Sequence, residues 1–189
     1  MTAAGTRPRI VLVGAMGAGK STVAELLAGH WGLAARDTDR DVEAAQGRSI
    51  SDIFVDDGDE YFRALERQAV TAALREHDGV LALGGGAVLD PDTRAALRGH
   101  RVVFLDVGLS DAVKRVGLGS ARPLLLGNVR ARIKTLLDER IPIYREVATI
   151  TVETDGRSPE DVATEVRQSV EDAEDAEAAA LEDMEDADE

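Results

Sequence analysis

Arg9-Ile-Val-Leu-Val13-Gly14-Ala-Met-Gly-Ala-Gly19-Lys20-Ser21-Thr22 decides how the rest of the chain is read. Ile10 to Val13 is an unbroken apolar run, the mark of a strand buried on both faces. Gly14 to Ser21 then match G-x-x-x-x-G-K-[ST], and from Gly19 to His30 the residues Val23, Leu26 and Leu27 share one helical face. Strand, glycine-rich turn and helix, in that order, is the context in which this signature cradles phosphate. Glycines let backbone N–H groups turn inward, and the helix N-terminus adds partial positive charge. Gly17, Ala18, Gly19, Lys20, Ser21 and Thr22 are therefore the candidate nucleotide-binding residues. Lys20 reaches toward the β- and γ-phosphates, and the Ser21 hydroxyl is a ligand for Mg²⁺. The motif establishes nucleotide binding and leaves the chemistry open, because ATPases, GTPases and kinases share it.

Outward from this loop, strands and helices alternate. Leu33 to Asp37 reads as a weak second strand, Ser51 to Phe54 and Asp59 to Arg75 as helical, and Gly79 to Leu83 as a strand stopped by three glycines. Asp90-Pro91 has the form of a helix N-cap and first residue. Arg101 to Leu105 is a strand, Ser110 caps a short helix, and 117–128 is glycine-rich and irregular. Val129 to Tyr144 is helical with a break expected at Pro142, Ala148 to Val152 is the fifth strand, and Ser158-Pro159 opens a last helix. This alternation implies a three-layer α/β/α domain around a parallel sheet.

Composition narrows the class. Of 189 residues 44% are hydrophobic but only 3% aromatic, so the core must be aliphatic. The net charge of −14 is uneven, because residues 171–189 hold eleven acids and no base, and removing them leaves −3. A nearly balanced body argues against a nucleic-acid partner. The absence of cysteine excludes disulfides and thiolate catalysis. No apolar run near the N-terminus approaches membrane-spanning length, so a cytoplasmic location, no membrane partner and a monomer are expected. Residues 1–8 read as a disordered leader, 9–170 as the domain, and 171–189 as a disordered acidic tail whose removal should not matter.

The acceptor has to be read elsewhere. Asp37-Thr-Asp39 follows the second strand; Asp52-Ile-Phe54, Gly58-Asp-Glu-Tyr-Phe-Arg63 and Glu66 follow within one helical region. Gly84-Gly85-Gly86 ends the third strand, Arg122-Pro-Leu-Leu125 lies in the irregular segment, and Arg140-Ile-Pro-Ile-Tyr144-Arg145 comes in the last third. With the phosphate loop, this ordered set resembles the shikimate kinases, from about Arg9 to about Val170. The resemblance implies a P-loop kinase of the nucleoside monophosphate kinase type, with strand order 2-3-1-4-5 and a mobile lid over 117–128. It implies MgATP and shikimate as substrates and shikimate 3-phosphate as product, on the route to chorismate and aromatic amino acids.

The resemblance assigns Asp39, Arg63, Gly85 and Arg145 to shikimate, Asp37 with Ser21 to Mg²⁺, and Arg115, Arg122 and Arg157 to ATP. Chemistry agrees for the acceptor, since arginines suit a carboxylate and an aspartate suits hydroxyls. Asp37 and Asp39, two apart at a strand end, should point the same way. Two roles for Asp39 are open here: proton acceptor, or orientation alone. Glu66, at i+3 from Arg63, can orient that guanidinium. Arg122 approaches the phosphates when the lid closes and excludes water. Asp106 has the look of a magnesium acid but is read as a plain strand-end residue, while His30, His77 and His100 read as helix-end residues and Trp31 as packing. The alternatives are a kinase for another small acceptor, such as gluconate or a nucleotide, and a nucleotide switch without catalysis.

Lys20, Asp39 and Arg122 are the candidate catalytic residues. Lys20→Ala should abolish phosphoryl transfer and leave the far-ultraviolet circular dichroism spectrum unchanged. Near-normal turnover of the folded variant would contradict the role given to Lys20.

Overall fold

The computed structural model describes residues 7–117 and 128–186. The strand before the phosphate loop, β1 (Ile10–Val13), is the centre of a five-stranded sheet with β2 (Ala35–Asp37), β3 (Val80–Ala82), β4 (Val102–Asp106) and β5 (Ile150–Glu153). The order is β2-β3-β1-β4-β5, and every pairing is parallel. The four residues of β1 are at most 1% exposed, as expected of a strand covered by helices on both faces. This is the sheet anticipated from the alternation and the resemblance. A parallel sheet gathers the carboxyl ends of its strands, and the helix N-termini that follow them, along one edge, where ligands bind.

The helices are α1 (Lys20–Trp31), α2 (Thr38–Gln46), α3 (Ile50–Asp56), α4 (Gly58–Glu76), α5 (Pro91–Ala96), α6 (Leu109–Gly117), α7 (Val129–Val147) and α8 (Pro159–Asp186). A large aliphatic core joins the sheet to its helices. A second small cluster, Val42, Ile53 and Phe62, holds α2, α3 and α4 together as a subassembly. Asp90 caps α5 as anticipated, accepting from the N–H groups of Asp92 and Thr93 at 2.9 Å each.

The structure departs from the sequence reading in five places. First, α2 was not anticipated; it starts directly after β2 because Asp37 caps it, accepting from the N–H of Asp39 at 2.9 Å. Second, Ser110 is not a cap, since α6 already begins at Leu109. Third, α7 runs through Pro142, because its buried face of Ile133, Leu137, Arg140 and Tyr144 spans the proline and holds both halves to the body. Fourth, Arg7 and Pro8 are placed: Pro8 is buried, and Arg7 donates to the Gly99 carbonyl at 3.1 Å. Residues 1–6 lie outside the described residues, as do 118–127, which hold nearly all of the expected lid with Arg122.

The fifth departure concerns the acidic segment. Residues 171–186 are not a disordered tail but the second half of α8. Glu174 accepts from Arg9 (2.7 and 3.2 Å) and from Arg101 (2.9 Å), and Glu177 from Arg101 at 2.8 Å. Glu171 accepts from the Trp31 indole N–H at 3.1 Å, and the Arg9 guanidinium lies 4.1 Å over that ring. Hydrogen bonds from Arg9, with the charges of Arg9 and Arg101, hold the Glu174 carboxyl below the usual carboxylate range. Like charges along the helix are thus offset by arginines that are distant in sequence. Among the described residues no helix is long and apolar enough to cross a membrane.

Truncation after Val170 should therefore destabilise the protein. Three partly exposed ion pairs at ~0.2–1 kcal/mol each give about 0.6–3 kcal/mol, or roughly 2–10 °C in Tm for a domain of this size. Scanning calorimetry checks this, and an unchanged Tm would show the contacts to be inconsequential.

Candidate active site

The phosphate loop leaves β1 at Gly14, where the backbone has φ 148° and a Cβ would lie 2.6 Å from the Leu105 carbonyl oxygen of β4. Only glycine lets the loop turn this close to the neighbouring strand. The loop then enters α1 with its N–H groups at the carboxyl edge of the sheet. Lys20 folds back over it, donating to the carbonyls of Gly14 (2.8 Å) and Ala15 (3.1 Å). The Ser21 hydroxyl donates to Asp37 Oδ2 at 2.5 Å. Asp37 thus links α1 to the start of α2.

A cleft of about 840 Å³ opens over the loop. It is lined by Gly17, Ala18, Gly19, Lys20, Ser21, Thr22, Asp37, Asp39, Arg63, Gly85, Arg115 and Arg157, all singled out from sequence. At one end, Arg115 donates to the Gly17 carbonyl (3.1 Å), the Thr154 carbonyl (2.7 Å) and Asp111 (3.1 Å). Arg157 is held by the carbonyls of Glu153 (3.0 Å) and Asp161 (3.1 Å) and pairs with Glu165 at 2.5 Å. These contacts fasten α6, β5 and the start of α8 to the phosphate loop.

The other end is walled by the α2–α4 subassembly. Arg63 donates to Glu66 at 2.7 Å and pairs with Asp59 at 3.3 Å. Its guanidinium lies 5.3 Å from the Phe62 ring centroid. Glu66 is buried; desolvation pushes its carboxyl above the ordinary range, the positive charge of Arg63 pulls it back, and Asp39 pushes it up again. The glycines after β3 make room for these groups. A Cβ on Gly84 would strike the carboxylates of Asp39 and Glu66, and one on Gly86 would strike the Arg63 guanidinium.

Two expectations change. Asp37 and Asp39 do not alternate along a strand, since β2 ends at Asp37 and Asp39 stands in the first turn of α2. Both reach the cleft all the same. Arg145 does not: its side chain is 64% exposed and pairs with Asp106 at the end of β4, 3.3 Å away. The cleft arginine from α7 is Arg140, which is 7% exposed and whose Nε has no hydrogen-bond partner among the described residues. The signal was helical phase. Residues 133, 137, 140 and 144 share one face, whereas 145 is a further step of about 100° round the helix. Sequence reading also missed Phe54, which lines the cleft with its ring 4.7 Å from that of Phe62.

With this geometry in place, comparison with known proteins is informative. The family model described as shikimate kinase matches residues 16–171. The chain belongs to the shikimate kinase family. It is 58% identical over 166 residues to the shikimate kinase of Streptomyces avermitilis, covering 88% of this chain and 97% of that one. The shikimate kinase of Salinispora arenicola is 61% identical over 159 residues, 84% of this chain and 95% of its own. The structure of shikimate kinase from Acinetobacter baumannii in complex with shikimate superposes with a TM-score of 0.84 at 34% identity, over 89% of this chain and 94% of that one. Membership in this family makes the chain an ATP-using kinase.

The buried Glu66 has a measurable signature. A carboxyl raised above its unfolded value makes the folded state bind more protons, so its contribution to stability falls as pH rises through that window. Glu66→Gln cannot ionise. The Tm of the variant relative to the unaltered protein should therefore increase between about pH 4.5 and about pH 7.5. Thermal unfolding at both pH values checks this, and a pH-independent difference would contradict the burial argument.

Proposed function

We propose that this chain transfers the γ-phosphoryl group of ATP to the 3-hydroxyl of shikimate, giving ADP and shikimate 3-phosphate for aromatic amino-acid synthesis. The observation that carries the reading is one cleft with a phosphate loop at its base and, beyond it, two arginines on different helices facing a chamber that also holds Asp39. Shikimate is a carboxylate with three hydroxyls. Arg63 and Arg140 take the carboxylate, and Asp39 accepts the hydrogen bond of the hydroxyl to be phosphorylated, so the reacting end lies toward Lys20.

Phosphoryl transfer rests mainly on positioning and charge stabilisation. The hydroxyl oxygen bonds to the γ-phosphorus as the bond to the bridging oxygen breaks, ADP leaves with that electron pair, and the hydroxyl proton passes to the Asp39 carboxylate that accepts its hydrogen bond. Lys20 and the loop N–H groups hold the phosphates. Asp39 keeps the acceptor oxygen aimed. Ser21 and Asp37, with hard oxygens side by side at the loop, suit Mg²⁺, which takes one or two protein oxygens and completes its shell with phosphates and water. When bound, it would neutralise phosphate charge. Arg122 and the segment 117–128 act as the lid. A monomer is part of this reading, and use of ATP supports a cytoplasmic location.

Losing one charge-assisted contact should weaken shikimate binding by about 1.5–3 kcal/mol, roughly 10- to 150-fold. Calorimetric titration should show this for Arg63→Lys and Arg140→Lys, with ATP affinity nearly unchanged. Arg145→Lys should bind shikimate normally. Failure of the unaltered protein to bind shikimate would overturn the reading, and normal binding by Arg140→Lys would overturn the clamp.

A further inference from the structure

The phosphate loop forms the middle of the cleft, and the α2–α4 subassembly walls the acceptor end. The base of a bound nucleotide therefore falls at the opposite end. There Val116, Pro159 and Val162 give apolar surface, and Arg115 and Arg157 give planar cations. The Arg115 guanidinium has its edge engaged by the protein. Nη1 donates to the Gly17 carbonyl (3.1 Å) and to Thr154 Oγ1 (3.2 Å), and Nη2 donates to the Thr154 carbonyl (2.7 Å). A guanidinium held by its edge meets a flat base through its face.

Asp111 stands behind this wall, in the first turn of α6, and is not among the residues that line the cleft. Its Oδ2 accepts from two partners: Arg115 Nη2 at 3.1 Å and the N–H of Gly156 at 2.8 Å. Asp111 and Arg115 alone would be an ordinary i,i+4 pair on one helix. The Gly156 bond goes beyond that, because it ties the pair to the turn between β5 and α8, 45 residues on. A second contact crosses between the same two loops. Asp155 accepts from the N–H of Gly108, just before α6, at 2.8 Å, and a Cβ on Gly108 would strike that carboxylate. One oxygen of Asp111 thus fixes a planar cation of the wall and the backbone turn that precedes Arg157.

We propose that Asp111 is a positioning residue for the nucleobase: it holds the Arg115 plane and the Gly156 turn at a fixed separation, and so sets the width of the slot that the base of ATP enters. The inference rests on the reading of the cleft as an ATP site. Asp111 touches no substrate and acts through Arg115 and the turn that carries Arg157.

The test is steady-state kinetics of the full chain, with ADP and inorganic pyrophosphate as inhibitors competing with ATP. Pyrophosphate carries the same two phosphates as ADP without the nucleoside, so it engages the phosphate loop alone. Asp111→Asn keeps the shape of the side chain and removes its charge. It should raise the KM for ATP and the inhibition constant of ADP roughly three- to tenfold, the size of one weakened charge-assisted contact. The inhibition constant of pyrophosphate, the KM for shikimate and kcat should stay within about twofold. Asp111→Glu keeps the charge on a longer arm; it should move the same two constants in the same direction by a smaller factor, and it decides the matter should Asp111→Asn not fold. If ADP and pyrophosphate weaken by the same factor, or neither weakens, Asp111 is merely structural and the proposal is overturned. An unaltered enzyme that binds ADP no more tightly than pyrophosphate would overturn the reading of this end as the base site, and this inference with it.

Discussion

Asp37 divides its two carboxylate oxygens between two helices. One accepts from Ser21 in the first turn of α1; the other accepts from the backbone of Asp39 in the first turn of α2. The half of the cleft at the phosphate loop and the half walled by α2 to α4 meet through this side chain. Its position follows from the parallel sheet, which brings the carboxyl ends of β1, β2 and β3 to the same edge. The loop after β1 lines one half of the cleft, the last residue of β2 joins the two halves, and the glycines after β3 leave space for the side chains of Asp39, Glu66 and Arg63. A displacement of α2 would move Asp39 and the Asp37–Ser21 contact together.

Charge in the cleft is arranged by contrast. Lys20 is folded onto carbonyls, Arg115 onto carbonyls and one aspartate, and Arg63 onto two carboxylates, while no ion pair among the described residues involves Arg140. Strongly paired cations act as struts, and weakly paired ones keep their attraction for a ligand. The glycines at 84 and 86 belong to this arrangement, because any side chain there would displace the groups that carry the charge.

Much of this was legible in the sequence where the signal is local. The apolar run Ile10–Val13 followed by the glycine loop announces its strand, turn and helix, and strand-helix alternation announces the parallel sheet. Twelve of the residues expected in the site do line one cleft. What was missed depends on contacts the chain makes at a distance or on phase. Helix α2 is short and opens on Thr38, Asp39 and Asp41, which are weak helix formers, and it depends on the cap from Asp37. Arg140 and Arg145 share one short motif, and only the direction of a helical face separates the buried one from the exposed one. The acidic half of α8 repels itself locally, and its compensation by Arg9 and Arg101 is visible only once the chain is folded.

The clasp between Arg9 and Glu174 joins positions 165 residues apart. On a ribosome adding roughly 5–20 residues per second, Arg9 emerges about 8–33 s before its partner is made. The strand that launches the phosphate loop therefore completes its surroundings only near the end of synthesis. A message cut short between Val162 and Glu174 would yield a chain with the described cleft residues present and its first strand still unclasped. The cell's proteases can distinguish such a chain from the finished one by its greater tendency to open.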